Sequence, residues 1–266
     1  MNPEGSAEQA PAARAAAAAM ADASARLATA GVQSARLDAE LLMAAAAGVS
    51  RAAVIAHSAR IDTDVLDRFE AMVARRAARE PLAYIVGRRE FFSLDLMVRS
   101  GVLIPRPETE TVVEAALDFL RARPAASVLD IGTGSGAIAI AIACTAPEVR
   151  IAALDISQVS LEIARGNAER HRCEHRIALR RGDCFAALDA DGTPFDLIVS
   201  NPPYIARSEI AALEPEARAF EPRVALEGGS DGMDFYRRIA AGLARWLVPG
   251  GEAILEVGAG QADAVA

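Results

Sequence analysis

Four consecutive residues, Asn201-Pro202-Pro203-Tyr204, follow the apolar run FDLIVS. They put a side-chain amide, two rigid residues and an aromatic ring at the end of a strand. Neither proline has an N–H to give to a ladder, so the strand stops there. Asn-Pro is also an ordinary turn starter, and the tetrapeptide alone does not make a site. A second stretch, VLDIGTGSGAIAIA, joins a short apolar strand to a helix through Gly132, Thr133, Gly134, Ser135 and Gly136. Glycines there permit a tight turn and close approach of the backbone to a ligand. The helix behind them presents free N–H groups and the positive end of its dipole. Asp155 ends the next strand, 23 positions after Gly132, where a carboxylate can accept both hydroxyls of a ribose.

These features imply a nucleotide-like ligand without selecting one. With Ala137 in its last place, GTGSGA also fits the dinucleotide pattern G-x-G-x-x-G/A, which is a weak signal when it stands alone. Asp130, immediately before the loop, favours S-adenosylmethionine over NAD. A carboxylate there suits a ligand's ammonium and repels a pyrophosphate. The tetrapeptide at 201–204 leans the same way.

The elements that must bring these residues together alternate from residue 126 onward. SVLDIG, RIAALD, RIALRRGD, FDLIVSN and GEAILEVG read as strands, and GAIAIAIACTA, SLEIARGNAERH and DFYRRIAAGLARWL as helices. Such alternation predicts a mostly parallel sheet with helices on both faces. In an open sheet of this kind, ligands bind at the carboxyl ends of the strands where strand order reverses. The glycine loop and Asn201 then meet in one crevice. The N-terminal domain, residues 1–80, differs: from residue 10 it is dense in Ala, Leu, Arg and Glu. These residues predict a helical bundle, with Leu37, Leu41, Leu42 and Ala45 on one helix face and Gly48 as its stop. Val65, Leu66, Phe69, Met72 and Val73 share the face of a second helix that starts from an acidic cap and ends before Pro81. Residues 81–106 read as a linker whose EFFSLDLMV forms a β-hairpin. The larger domain occupies 107–266. Pro105 and Pro107 flank Arg106, fixing it on a stiff corner, and Pro107 sits in the first turn of the following helix.

Composition narrows the function classes. The chain has 266 residues and a formal charge of −8, which argues against broad contact with a nucleic-acid backbone. All 28 basic residues are arginine. No run of 18 apolar residues indicates a membrane span, and the Ala-rich start reads as a helix, since Glu4 and Glu8 precede it. A cytoplasmic protein is expected. Three cysteines make no disulfide framework, and HRCEH at 171–175 matches no standard zinc spacing. No metal is expected.

Taken together, LIPRPETE, VLDIGTGSGAIAIA, NPPYI and FEPRVALEGGSDGMDFYRRI resemble the release factor glutamine methyltransferases, the PrmC (HemK) family. The resemblance runs from about residue 35 to the end, through DAELLMA and EPLAYIVGRREFF. NPPY alone is shared with DNA adenine-N6 methyltransferases; LIPRPETE and FEPRVALEGG are narrower. The resemblance implies an α/β fold of the class I S-adenosylmethionine-dependent type, Rossmann-like, with a small N-terminal helical domain for substrate recognition and a hairpin connection. It implies methylation of the side-chain amide nitrogen of Gln in the Gly-Gly-Gln motif of peptide chain release factors. Residues 132–136 would surround the methionine part of the cofactor, Asp155 its ribose, and Asp183 and Cys184 its adenine, although some relatives carry a large aromatic residue where Cys184 stands. Asn201, Pro202, Pro203 and Tyr204 would hold the substrate amide, with Arg106 nearby. It also implies a further helix and two further strands beyond Ala266.

An amide nitrogen is a poor nucleophile, because its lone pair is shared with the carbonyl. Two fixed acceptors, the Asn201 side-chain oxygen and the Pro202 carbonyl, could take its two hydrogens and aim it, with Tyr204 offering an aromatic face. A ribosomal-protein glutamine methyltransferase with the same core is the near alternative. A DNA adenine-N6 methyltransferase is the farther one, since a flipped adenine presents a similar amine. A non-catalytic binding module and an NAD-dependent oxidoreductase fit less well.

Overall fold

The computed structural model describes residues 4–266, so residues 1–3 of the expected helical domain lie outside it. The chain divides into two compact units, Met1–Val86 and Gly87–Ala266.

The first unit is helical: α1 (Glu4–Thr29), α2 (Ala35–Ala47), α3 (Arg51–Ile55), α4 (Thr63–Ala77) and the single turn α5 (Leu82–Val86). The Asp62 carboxylate caps α4 by accepting from the Val65 N–H at 3.0 Å. Gly48 closes α2 in the left-handed conformation. Leu27, Leu42, Met43, Phe69 and Val73 fill the core. On α4 the expected face is inward, with Leu66 and Met72 at its edge. On α2 it is rotated: Leu37 is 42% exposed, whereas Asp38, Ala39, Leu42, Met43 and Ala46 are buried. The cause is an ion pair that helical spacing does not reveal. Arg76 of α4 donates to Asp38 at 2.7 Å, the Ser34 hydroxyl donates to the same carboxylate at 2.7 Å, and both charges are buried.

The second unit begins with a hairpin, β1 (Arg88–Phe91) and β2 (Leu94–Met97), turned by Phe92 and Ser93 in the left-handed region. The hairpin packs within this unit. Phe91 and Leu96 join its core. Asn167 accepts from the Met97 N–H at 2.7 Å and donates back to the Met97 carbonyl at 3.0 Å. Then follow α6 (Glu110–Leu120), β3 (Ser127–Ile131), α7 (Ala137–Thr145), β4 (Arg150–Asp155), α8 (Gln158–Arg170), β5 (Ile177–Arg181), β6 (Phe195–Ser200), α9 (Pro215–Phe220), α10 (Asp234–Trp246), β7 (Leu247–Leu255) and the short α11 (Ala262–Val265). Every strand called from the alternation is present.

Five parallel strands lie in the order β5-β4-β3-β6-β7. The order reverses between β3 and β6, whose ends are in register at Ile131 and Ser200. Strand residues alternate between two cores. Val128, Ile151, Leu197 and Val199 meet α6, α7 and α8 on one face; Leu129, Ile131, Leu154 and Ile198 meet Ile239 and Trp246 of α10 on the other. Both faces are therefore covered, which is why these strands read as continuous apolar runs. This is the class I methyltransferase architecture.

Candidate active site

A cleft of about 340 Å³ opens at the carboxyl ends of β3, β4 and β6, within the size range of small-molecule sites. The glycine loop forms its floor. The N–H groups of Gly132 and Thr133 donate to the Leu154 carbonyl at 2.8 and 2.9 Å, tying the loop to β4. Asp155 accepts from the Gly134 N–H at 2.9 Å and the Ser157 N–H at 2.8 Å. Its carboxylate is thus fixed at the cleft edge, with burial raising its pKa against those two bonds. Asn167 donates to the Ser135 carbonyl at 2.9 Å, bracing the loop from α8.

Thr133, Ser135, Asp183, Cys184, Asn201, Pro202 and Pro203 also line the cleft, as does Arg106. Sequence spacing thus brought together most of the residues it singled out. Three stand elsewhere. Gly136 is not among the lining residues: it caps α7, gives its N–H to the Thr133 carbonyl at 2.8 Å and faces Ile140 and Ala164. Asp130 shares the strand parity of Val128, so it points under α7, fully buried, instead of lining the cleft. The Thr133 hydroxyl donates to one of its oxygens at 2.7 Å, and the Ala139 N–H of α7 also faces the carboxylate. Burial pushes its pKa up to about 7. Tyr204 is likewise absent from the lining; its hydroxyl donates to Glu256 at 3.2 Å, and burial next to that carboxylate raises its pKa.

Several lining or supporting residues were not singled out from the sequence. Arg106 donates to Glu221 at 2.6 Å, and the buried Glu221 also accepts from the Ile104 N–H at 3.3 Å. The two halves of this pair come from LIPRPETE and FEPR, so the motifs held a signal whose physical content was not visible. Arg238 of α10 donates to Asp183 at 2.6 Å and lies over the Phe235 ring at 5.1 Å; all three line the cleft. Thr109, inside the same LIPRPETE run, accepts from Asn201 Nδ2 at 2.9 Å. No histidine is among the lining residues. Among the described residues, no group of three or more His, Cys, Asp or Glu side chains is placed to hold a metal ion.

Two family models match the chain. The PrmC N-terminal domain covers residues 18–87, and the methyltransferase small domain covers residues 110–215. The release factor glutamine methyltransferase of Geobacter sulfurreducens is 47% identical over 240 residues, 90% of this chain and 82% of that protein. The chain belongs to the release factor glutamine methyltransferase family. The proteins of the same name from Cereibacter sphaeroides and Caulobacter vibrioides are 45% and 41% identical over 91% and 90% of this chain, and over 84% and 83% of their own lengths. Membership makes the chain a methyltransferase with S-adenosyl-L-methionine as its cofactor.

The cleft residues fit that group. A Cβ added at Gly132 would meet no protein atom within 4 Å, so the loop leaves open space on its cleft side. The donor and acceptor set suits a nucleoside joined to an amino acid: two acids, Asp155 and Asp183, stand among the apolar walls Leu103, Ile131, Ile138 and Ile156.

Proposed function

We propose that this chain methylates the N5 amide nitrogen of the glutamine in the Gly-Gly-Gln motif of peptide chain release factors, and that Asn201 and Pro202 carry the step. One observation supports the assignment above the others. Asn201 Oδ1 and the Pro202 carbonyl accept no hydrogen bond among the described residues, and both residues line the cleft next to the glycine loop.

S-adenosyl-L-methionine, when bound, supplies an electrophilic methyl group. Residues 132–135 would hold its amino-acid part, Asp155 its ribose hydroxyls, and Asp183 with Cys184 its adenine. Asn201 Oδ1 and the Pro202 carbonyl receive the two hydrogens of the glutamine amide and direct its nitrogen along the cleft. The two prolines fix the carbonyl in place, so little reorganisation accompanies the reaction. Orientation of this kind supplies up to about 7–11 kcal/mol in favourable cases. With no histidine in the lining, the proton released by the nitrogen goes to water. Arg106 stands at the cleft beside these acceptors and contributes to holding the substrate loop. The Tyr204 hydroxyl is held by Glu256, which steadies the ring that would lie against the amide.

The expected partner is a folded release factor in the cytoplasm. No helix among the described residues is long and apolar enough to cross a membrane. The formal charge of −8 disfavours a nucleic-acid substrate. Mass spectrometry of a release factor incubated with the chain and S-adenosyl-L-methionine should find one added methyl on Gln. Asn201→Ala should abolish turnover while calorimetry shows near-normal cofactor binding; the lost acceptor costs about 1–3 kcal/mol in binding terms, and more in the transition state, where the amide must be aimed. Normal turnover in that variant refutes the assignment.

A further inference from the structure

Asn201 can serve as an acceptor only if its amide is turned one way, and the sequence has no evident device for that. The structure contains a chain of hydrogen bonds that fixes the choice. Asn201 Nδ2 donates to Thr109 Oγ1 at 2.9 Å. The Thr109 hydroxyl donates to Glu256 Oε2 at 2.5 Å. The Tyr204 hydroxyl donates to the other oxygen, Glu256 Oε1, at 3.2 Å.

A hydroxyl has one hydrogen and two lone pairs, and a carboxylate only accepts. Glu256 therefore consumes the single hydrogen of Thr109, leaving that oxygen only lone pairs to offer. The Asn201 side chain must then present its NH2 to Thr109. A flipped amide would set its carbonyl oxygen against the Thr109 oxygen with no hydrogen between them. The part-buried, charge-assisted link between Thr109 and Glu256 is the stronger kind of hydrogen bond, so the order of the chain starts at the carboxylate.

Glu256 is itself held from several sides. Its N–H donates to the Ser200 carbonyl at 3.0 Å, which ties it to the residue before Asn201. Its own carbonyl accepts from the Tyr236 hydroxyl at 2.9 Å. The carboxylate sits just past β7, the asparagine just past β6, and the threonine ahead of α6. Three segments distant in sequence thus converge on one amide.

We propose that Glu256, acting through Thr109, is the positioning device that orders the Asn201 amide with its oxygen toward the cleft. This inference rests on the reading that Asn201 Oδ1 receives the substrate amide. Thr109 and Glu256 touch neither the substrate nor the cofactor's reacting atoms in this role; they set the direction of the residue that does.

The test uses the full chain with a release factor and S-adenosyl-L-methionine. Thr109→Val keeps the shape and removes the hydroxyl. It should lower kcat about 10- to 100-fold, the range that misplacement of a reacting group produces, with cofactor Kd and release-factor KM within about threefold, too small a change to reflect lost binding. Thr109→Ser, which keeps the hydroxyl, should restore kcat to within about threefold of the parent. Glu256→Gln can donate to Thr109 and so frees the threonine hydrogen to turn toward Asn201; its kcat should fall at least about tenfold. A parental kcat in Thr109→Val overturns the proposal, as does a Thr109→Ser protein no better than Thr109→Val. An NMR measurement on the parent chain, independent of activity, guards against variants that fail to fold. The Asn201 side-chain NH2 hydrogens should exchange with solvent markedly more slowly than those of an exposed asparagine. Exchange at the exposed rate refutes the ordered chain. Slow exchange with no methylation of the release factor leaves the ordering standing and refutes the substrate assignment instead.

Discussion

Two glycines of the same loop should fail in different ways when each gains a methyl group. Gly136 begins α7 at φ 84°, in the left-handed region. A Cβ there would stand 2.8 Å from Ile140 Cδ1 and 3.2 Å from Ala164 Cβ. Ile140 is fully buried in the core beneath the sheet, so it has little room to withdraw. The left-handed conformation costs a side chain about 1–2 kcal/mol, and forcing a methyl into a filled core adds about 1–3 kcal/mol. Gly136→Ala should therefore lose about 3 kcal/mol, which for a unit of this size lowers Tm by roughly 6–12 °C. Gly132, at φ 74°, has nothing within 4 Å of an added Cβ. Only the conformational term applies, so Gly132→Ala should lose about 1 kcal/mol, or roughly 2–4 °C. Its methyl enters the space the cofactor needs, and S-adenosylhomocysteine should bind at least about tenfold more weakly, a loss of about 1.4 kcal/mol or more. Calorimetric melting and isothermal titration on the two variants separate these effects. Equal Tm losses refute the packing argument, and parental affinity in Gly132→Ala refutes the placement of the ligand against the loop.

Glu221→Ala should destabilise the second unit by about 1–3 kcal/mol, because it leaves the Ile104 N–H buried and unpartnered and releases Arg106; a denaturant midpoint equal to the parent's would show that the pair does not hold this wall. Asp130 should make the ligand-free protein less stable as pH rises. Its folded pKa of about 7 lies above its ordinary value of 3.8, so its contribution is fully present below pH ~4 and lost as the pH climbs through about 7, a swing on the order of a few kcal/mol. Asp130→Asn should flatten the slope of unfolding free energy over that interval, and identical slopes in parent and variant would refute a proton held there. With no strong base required, kcat should be nearly flat between pH 6 and about pH 8; a steep rise with one apparent pKa in that window would contradict the mechanism.

The alternation of strands and helices was legible in the residue pattern, because parallel strands covered on both faces must be apolar throughout and their connecting helices long. That pattern also put GTGSG and NPPY in one crevice, since consecutive βα units place both loops at the carboxyl edge. Local composition likewise sufficed for the hairpin at 88–97 and for the helical character of residues 10–80. Side-chain direction was another matter. Leu37 and Leu41 of α2 match helical spacing, yet the helix turns inward on Asp38 because Arg76, on another helix, supplies the charge that makes burial tolerable. Asp130 and Tyr204 sit at the expected backbone positions, but strand parity turns Asp130 under α7 and the Tyr204 hydroxyl is engaged by Glu256. Glu221 and Glu256 carried no signal of their own. A carboxylate at the end of a strand or in a proline-rich loop is ordinary until the fold brings Arg106 or Thr109 against it. Periodicity is a property of neighbours along the chain, whereas a hydrogen-bonding partner 100 residues away exists only once the sheet has set its order. Tertiary structure alone therefore decided which oxygen of this site is free to accept and which is already spoken for.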